Sequence, residues 1–244
     1  MGRAFELRKG RKLKRWSKMA KTFSRIGKDI VMAIKEGGPE VESNARLRAV
    51  IQNAKAANMP KEIVDRAIKK AKDKDTSDYK EVNFEGYAPH GIAIMIETAT
   101  DNNNRTVASV RSIFSKCGGH MGTSGSVDFM FERKCHFKIP MGELDPEELE
   151  FELIDAGIDE LFAEEPEEDA EDQTSTIMIY GPFESFGSIQ KALEEMHLEV
   201  LESGYERIPT TTTKLSEADE AEVDKILEKL DEDDDVMNVY HTMG

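Results

Sequence analysis

The stretch Lys14–Lys35, KRWSKMAKTFSRIGKDIVMAIK, decides how the first third of the chain folds. Apolar residues recur in it at Met19, Phe23, Ile26, Ile30, Ala33 and Ile34, with steps of four and three. At about 100° per residue they fall on one face of a helix. Lys14, Lys18, Lys21, Arg25, Lys28 and Lys35 keep the same rhythm, displaced by about two positions or roughly 200°. The segment therefore predicts a helix with an apolar side for its own domain and a cationic side for an anion.

Before it, residues 1–13 (MGRAFELRKGRKL) read as a flexible basic arm, punctuated by Gly2 and Gly10. After it, Gly37-Gly38-Pro39 is a strong stop signal. Ser43 or Asn44 can cap a second helix whose stripe is Leu47, Val50, Ile51, Ala54 and Ala57. Pro60 suits the first turn of a third, with Ile63, Val64, Ala67, Ile68 and Ala71 inward and Arg66, Lys69, Lys70 and Lys72 mostly outward. Three such stripes bury together as a small helical domain, residues 1–76.

The charge is divided along the chain. Residues 1–75 hold 21 Lys/Arg and 9 Asp/Glu, a net of +12, whereas residues 76–244 hold 12 and 40, a net of −28. One end is built to meet a polyanion and the rest is repelled by it. Lys and Arg on one face can each neutralise a phosphate and release counterions, so contact is directed at the backbone and not at base edges. The candidate contacts are Arg11, Lys12, Lys14, Arg15, Lys18, Lys21, Arg25 and Lys28, joined by Arg46 and Arg48 in the second helix. Trp16 can stack on a base or pack within the domain.

Other classes find less support. The longest apolar run, around Ile92–Ile96, is strand-sized, far short of the ~20 residues of a membrane span. The basic N-terminus lacks the apolar core of a secretory signal, and its pattern continues into the first helix, unlike a transit peptide. Cys117 and Cys135 have no CxxC spacing and no His beside them at ligand spacing, which reads as reduced thiols in the cytoplasm. The five His residues are scattered, and no nucleophile–base constellation can be assembled, so a non-enzymatic role without a cofactor is expected.

After a polar linker the pattern changes to ββαβ: Glu81–Tyr87 and Gly91–Thr100 as strands, Arg105–Lys116 as a helix, Ser126–Arg133 as a strand. A second set follows, with strand Cys135–Pro140, helix Asp145–Ala156 and strand Ile158–Glu164. An acidic loop runs to Asp172, then strand Thr176–Tyr180, helix Phe183–Met196 and strand Leu198–Leu201 complete it. This β-α-β-β-α-β order is the split pattern of ferredoxin-like domains. Strand Gly204–Lys214, helix Glu217–Leu230 and strand Val236–Thr242 would complete the first sheet. The expectation is α+β: a helical domain followed by two ferredoxin-like-type domains, with residues 134–203 inserted between 77–133 and 204–244.

Two stretches invite ligand readings. Gly118–Ser126, GGHMGTSGS, could cradle an anion in its amides, but it is no Walker A loop and reads better as a demanding connection. Asp101–Arg105 opens like a calcium loop, yet lacks glycine at the sixth position and has Ser112 at the twelfth, so helix capping is the better account. Between Met141 and Asp172 there are 16 Asp/Glu and no Lys/Arg, a solvated face that leaves room for a basic protein partner.

Several motifs resemble one known family. Gly37-Gly38-Pro39, Asn44-Ala-Arg-Leu-Arg48, Ala56-Ala-Asn-Met-Pro60 and Arg66-Ala-Ile68 look like the helical domain of YebC/PmpR proteins. So do Glu85-Gly-Tyr-Ala-Pro-His-Gly91, Asp101-Asn-Asn-Asn-Arg-Thr106 and Ser124-Gly-Ser-Val127, and the likeness covers nearly the whole chain. The resemblance implies a helical domain plus two α+β domains, one interrupting the other. It implies a cytoplasmic, non-enzymatic regulator of gene expression, either a DNA-binding transcriptional regulator or a ribosome-linked translational activator that meets ribosomal RNA. Gly2-Arg-Ala-Phe-Glu6 departs from the family's usual Gly-His-Ser-Lys-Trp opening.

Overall fold

The computed structural model describes residues 3–72, 78–165 and 174–244, with side chains in the first helix described from Met19 onward. The acidic loop to Asp172 thus falls largely outside the described residues.

Helix α1 spans Arg3–Gly37. The basic arm expected at residues 1–13 is instead, from Arg3, part of this one helix. No proline or turn signal precedes Gly37, and Gly10 costs only about 1 kcal/mol among good helix formers. The apolar stripe also widens. From Ile30 to Ile34 five consecutive residues are buried, so this stretch of α1 is enclosed on all sides before the helix ends in exposed residues. It packs against α2 (Ala45–Ala56) and α3 (Lys61–Lys72).

The turn between α1 and α2 is organised by Asn44. Its Oδ1 accepts from Leu47 N at 3.0 Å, and its Nδ2 donates to Ala33 O at 2.7 Å and Gly38 O at 2.8 Å. Gly38 takes φ +83°, which favours glycine, and a Cβ on Gly37 would stand 2.8 Å from the Asn44 carboxamide.

Strands β1 (Lys80–Tyr87) and β2 (Ala93–Thr100) form a hairpin with Phe84 opposite Ile96. His90 at φ 64° and Gly91 at φ 76° make its turn. Helix α4 (Asn103–Lys116) follows, then the short β3 (His120–Met121). Strand β4 runs Phe131–Pro140 without interruption and replaces the two strands expected on either side of Lys134. Phe131, Cys135, Phe137 and Ile139 stay in one phase, with Arg133 the one exposed member of that set, so the strand continues through Lys134. Ser126–Met130 is loop and a 3-10 turn instead of strand.

Helix α5 (Pro146–Leu153), β5 (Glu160–Glu164), β6 (Thr176–Pro182) and α6 (Phe186–Glu195) come next. Strand β7 (Glu202–Pro209) replaces the expected strands at Leu198–Leu201 and Gly204–Lys214. Leu198 N is still spent on closing α6, donating to Leu193 O at 3.0 Å. Helix α7 (Glu217–Glu232) and β8 (Val236–His241) end the chain.

The strands form two four-stranded sheets, ordered β3-β1-β2-β8 and β5-β6-β4-β7. In the second, the chain order β4-α5-β5-β6-α6-β7 gives the split ferredoxin-like pattern, and the architecture is α+β as expected. In the first, β2 is buried on both faces, which accounts for its unbroken apolar run. One face packs Phe84, Ile94, Ile96, Val110 and Phe114 with Val223, Ile226 and Leu230 of α7. The other packs Ala93 and Met95 with Val127 and Phe131. The chain gathers into two compact units. One is Met1–Thr76, Phe137–Tyr180 and Gly187–Gly204; the other is Ser77–His136, Gly181–Phe186 and Tyr205–Gly244.

Candidate nucleic-acid interface

Of the expected cations on α1, the side chains of Arg11, Lys12, Lys14, Arg15 and Lys18, and that of Trp16, lie outside the described residues. Lys21 and Arg25 are half-buried on the helix flank, and Lys35 is exposed. Lys28 is a correction: it is only 8% exposed, because the flank opposite Ile26 and Ile30 is itself covered.

Arg46 and Arg48 hold the α1–α2 connection. Arg46 Nη1 donates to Glu36 Oε2 at 2.6 Å. Arg48 Nη1 donates to the carbonyls of Val41 at 3.1 Å and Glu42 at 2.7 Å. Their guanidiniums are spent on a turn that would otherwise present bare carbonyls. Lys55 is exposed but pairs with Glu199 at 2.9 Å.

The third helix adds a set of exposed cations. Arg66, Lys69, Lys70 and Lys72 are exposed, and Arg66, Lys69 and Lys70 recur at helical spacing on one face. Arg66, Lys69 and Lys72 pair with no carboxylate among the described residues. Their outward direction follows from the stripe of Val64 and Ala71, which are buried. The signal was in the sequence, but the longer run of cations on α1 overshadowed it.

The two loops that invited ligand readings are closed by the protein's own side chains. The buried Glu85 carboxylate accepts from Gly125 N at 2.6 Å, Val127 N at 2.7 Å and Asp128 N at 3.0 Å, while Gly122 N donates to the Glu85 carbonyl at 2.7 Å. The Gly-rich stretch does gather amides around an anion, but the anion is internal. Likewise Asn102 caps α4 by accepting from Arg105 N at 3.2 Å. Asp235 accepts from Arg105 Nη2 at 2.7 Å and Thr106 Oγ1 at 2.8 Å. Capping, not calcium, explains Asp101–Thr106. Asp235 did not emerge from the sequence, and Glu85 appeared only within a family-like motif, with its place between Phe84 and Gly86 inside a strand the further sign of its role.

Among the described residues no group of three or more His, Cys, Asp or Glu is placed to hold a metal ion, and no helix is long and apolar enough to cross a membrane. Cys117 and Cys135 are free thiols.

Family models match the chain over almost its whole length. Residues 3–74 match the family described as TACO1/YebC protein N-terminal domain, and residues 79–243 match the TACO1/YebC second and third domain. The chain belongs to the TACO1/YebC family. Among TACO1/YebC relatives, one from Flavobacterium psychrophilum named a probable transcriptional regulatory protein is 66% identical, over 100% of this chain and 99% of its own. A protein of the same description from Porphyromonas gingivalis is 52% identical, over 100% and 97%. A crystal structure of a conserved hypothetical protein from Aquifex aeolicus superposes with TM-score 0.77 at 36% identity, covering 92% of this chain and 90% of its own. Asn44, Glu85 and Arg105 lie in the motifs that resemble the family, and in this chain each of them organises a turn or a helix start.

Proposed function

We propose that this chain is a nucleic-acid-binding regulator of gene expression, acting as a DNA-binding transcriptional regulator through its basic helices. The observation that carries the reading is the exposed set Arg66, Lys69 and Lys72, which pairs with no carboxylate among the described residues, beside the cation-rich α1. The names given to its relatives support the same reading. The contacts are Arg11, Lys12, Lys14, Arg15, Lys18, Lys21 and Arg25, extended by the α3 cations. Residues 1–76 form the binding domain; 77–133 with 204–244, and 134–203, form the acidic body that stays off the polyanion. The protein works in the cytoplasm, without catalysis.

A second reading is a ribosome-associated factor that meets ribosomal RNA and activates translation. It is favoured by one observation: Arg66, Lys69 and Lys70 form a phosphate-directed face with no side-chain set matched to base edges.

The test is the affinity of the full chain for duplex DNA and for structured RNA across a salt series, with Lys18→Glu, Lys21→Glu and Arg25→Glu combined. Six phosphate contacts give a log–log slope near about −5 on duplex DNA. The triple variant is expected to bind more weakly with a shallower slope. Unchanged affinity in a folded variant rejects the reading. Promoter occupancy in cells selects the DNA form, and salt-sensitive co-sedimentation with ribosomes selects the other.

A further inference from the structure

We propose that the outward face of α5 and the turn that closes it is a docking surface for a cationic amphipathic segment of a partner protein. Helix α5 buries one side only, with Leu149 and Leu153 at 3% and 0% exposure. On the other side Phe151 is 79% exposed and Ile154, one turn on, 58% exposed. Residues three apart on a helical path are neighbours, so these two make a single apolar ridge.

Every other exposed position from 147 to 155 is a carboxylate: Glu147, Glu148, Glu150, Glu152 and Asp155. None of these pairs with a cation among the described residues. Glu148 and Glu152 stand one turn apart as like charges, which disfavours the helix. Glu152 and Asp155 lie at its C-terminal end, where the helix dipole favours cations instead. The helix therefore opposes itself electrostatically, and a cationic partner relieves that. An apolar centre with a charged rim of one sign is the anatomy of a protein interface, with the centre supplying affinity and the rim supplying steering and selectivity. The same carboxylates repel nucleic acid, so this surface is separate from the basic helices and does not rest on their reading. The occupant carries Lys or Arg around apolar residues at helical spacing.

The experiment uses the full chain and two synthetic helical peptides of equal charge. One carries Leu at positions i, i+3, i+4 and i+7 among Lys; the other carries Ser at those positions. Fluorescence anisotropy is read at low and high salt. The Leu peptide is expected to bind the parent more tightly than the Ser peptide. Phe151→Ser with Ile154→Ser should weaken the Leu peptide about tenfold or more, without altering affinity for nucleic acid. Glu148→Gln with Glu152→Gln should slow its association and flatten its salt dependence. Both pairs are exposed, and circular dichroism checks that the fold is kept. Equal binding of the two peptides, or no effect of the serine substitutions, overturns the proposal. So does a parent protein that sediments as an oligomer and becomes monomeric with the serine pair, since the occupant would then be a second copy of the chain.

Discussion

Arg105 closes on Asp235 across 130 positions of sequence, its Nη2 lying 2.7 Å from Oδ2 and 3.0 Å from Oδ1. Asp235 is 6% exposed and also takes the Thr106 hydroxyl at 2.8 Å, so the start of α4 and the entry to β8 share one carboxylate. Removing it leaves Arg105 with Asp101 alone and Thr106 with Thr100 and the Asn102 carbonyl, and unties the start of α4 from the entry to β8. Asp235→Ala should lower stability by about 1–3 kcal/mol through the lost bonds of a buried carboxylate, read from denaturant unfolding. A loss below about 0.5 kcal/mol would show that the network is dispensable.

The Asn44 carboxamide should matter more than an ordinary helix cap, because it satisfies one amide and two carbonyls. Asn44→Ala is expected to cost about 2–3 kcal/mol, above the ~1 kcal/mol of a typical cap. Asn44→Asp keeps the cap bond to Leu47 but sets a buried carboxylate oxygen against the Ala33 and Gly38 carbonyls, and so should melt no higher than Asn44→Ala.

Glu85→Gln tests the loop that folds around its own anion. An amide can offer one oxygen to the three backbone donors, and its NH2 group turns toward the others. Amide exchange at Gly125, Val127 and Asp128 should accelerate about tenfold or more, corresponding to a local loss of at least ~1.4 kcal/mol. Unchanged protection would mean that the loop is held from elsewhere.

The pH dependence has a defined sign at two groups. The hydrogen bond from Lys138, with Nζ 2.6 Å from Glu164 Oε2, holds the Glu164 carboxyl below its ordinary value. A depressed carboxylate stabilises the fold above the unfolded value, and this is lost as pH falls through the folded one. A carbon-detected NMR titration should show Glu164 titrating below the exposed glutamates, and Lys138→Met should return it to them. At the alkaline end, burial first and then the Glu97 charge push the Tyr240 phenol above its usual value. Its contribution is complete below about pH 10 and declines as pH rises above that. Absorbance titration should find one tyrosine ionising only as the protein unfolds.

The cations should separate by role. Arg66→Glu with Lys69→Glu should reduce affinity for duplex DNA and lower the magnitude of its salt slope by about 2, with the melting curve little changed. Arg46→Ala with Arg48→Ala should do the reverse, since those guanidiniums serve Glu36 and the carbonyls of Val41 and Glu42. Salt curves and melts taken on the same preparations distinguish the two.

Periodicity was a sound guide wherever a face is decided locally. The stripes of α2 and α3, the places of α4 and α7 and the hairpin β1–β2 follow from the residues alone, and so does the split order of the second sheet. It misled where no local signal exists. A lone Lys134 does not end a strand whose alternation stays in phase, and Gly2 and Gly10 do not make an arm out of good helix formers. Lys28 fits a cationic stripe by spacing, but spacing does not reveal that this flank is covered as well. The roles of Glu85 and Asp235 were invisible for another reason: the partners of these acids lie 40 to 43 and 130 residues away, so only the finished fold brings them together.

The order β3-β1-β2-β8 sets a timetable for synthesis. A nascent chain that has made β1, β2 and α4 still lacks α7 and β8, and the residues from Phe131 to Pro209 must leave the ribosome before these arrive. Until then Ile94, Ile96 and Phe114 have no Val223, Ile226 or Leu230 to cover them. Long-range closure of this kind is slow and leaves an adhesive half-core during translation. Newly made chains should therefore draw on chaperones most heavily in that interval, and truncations ending before Glu217 should aggregate where the full chain does not.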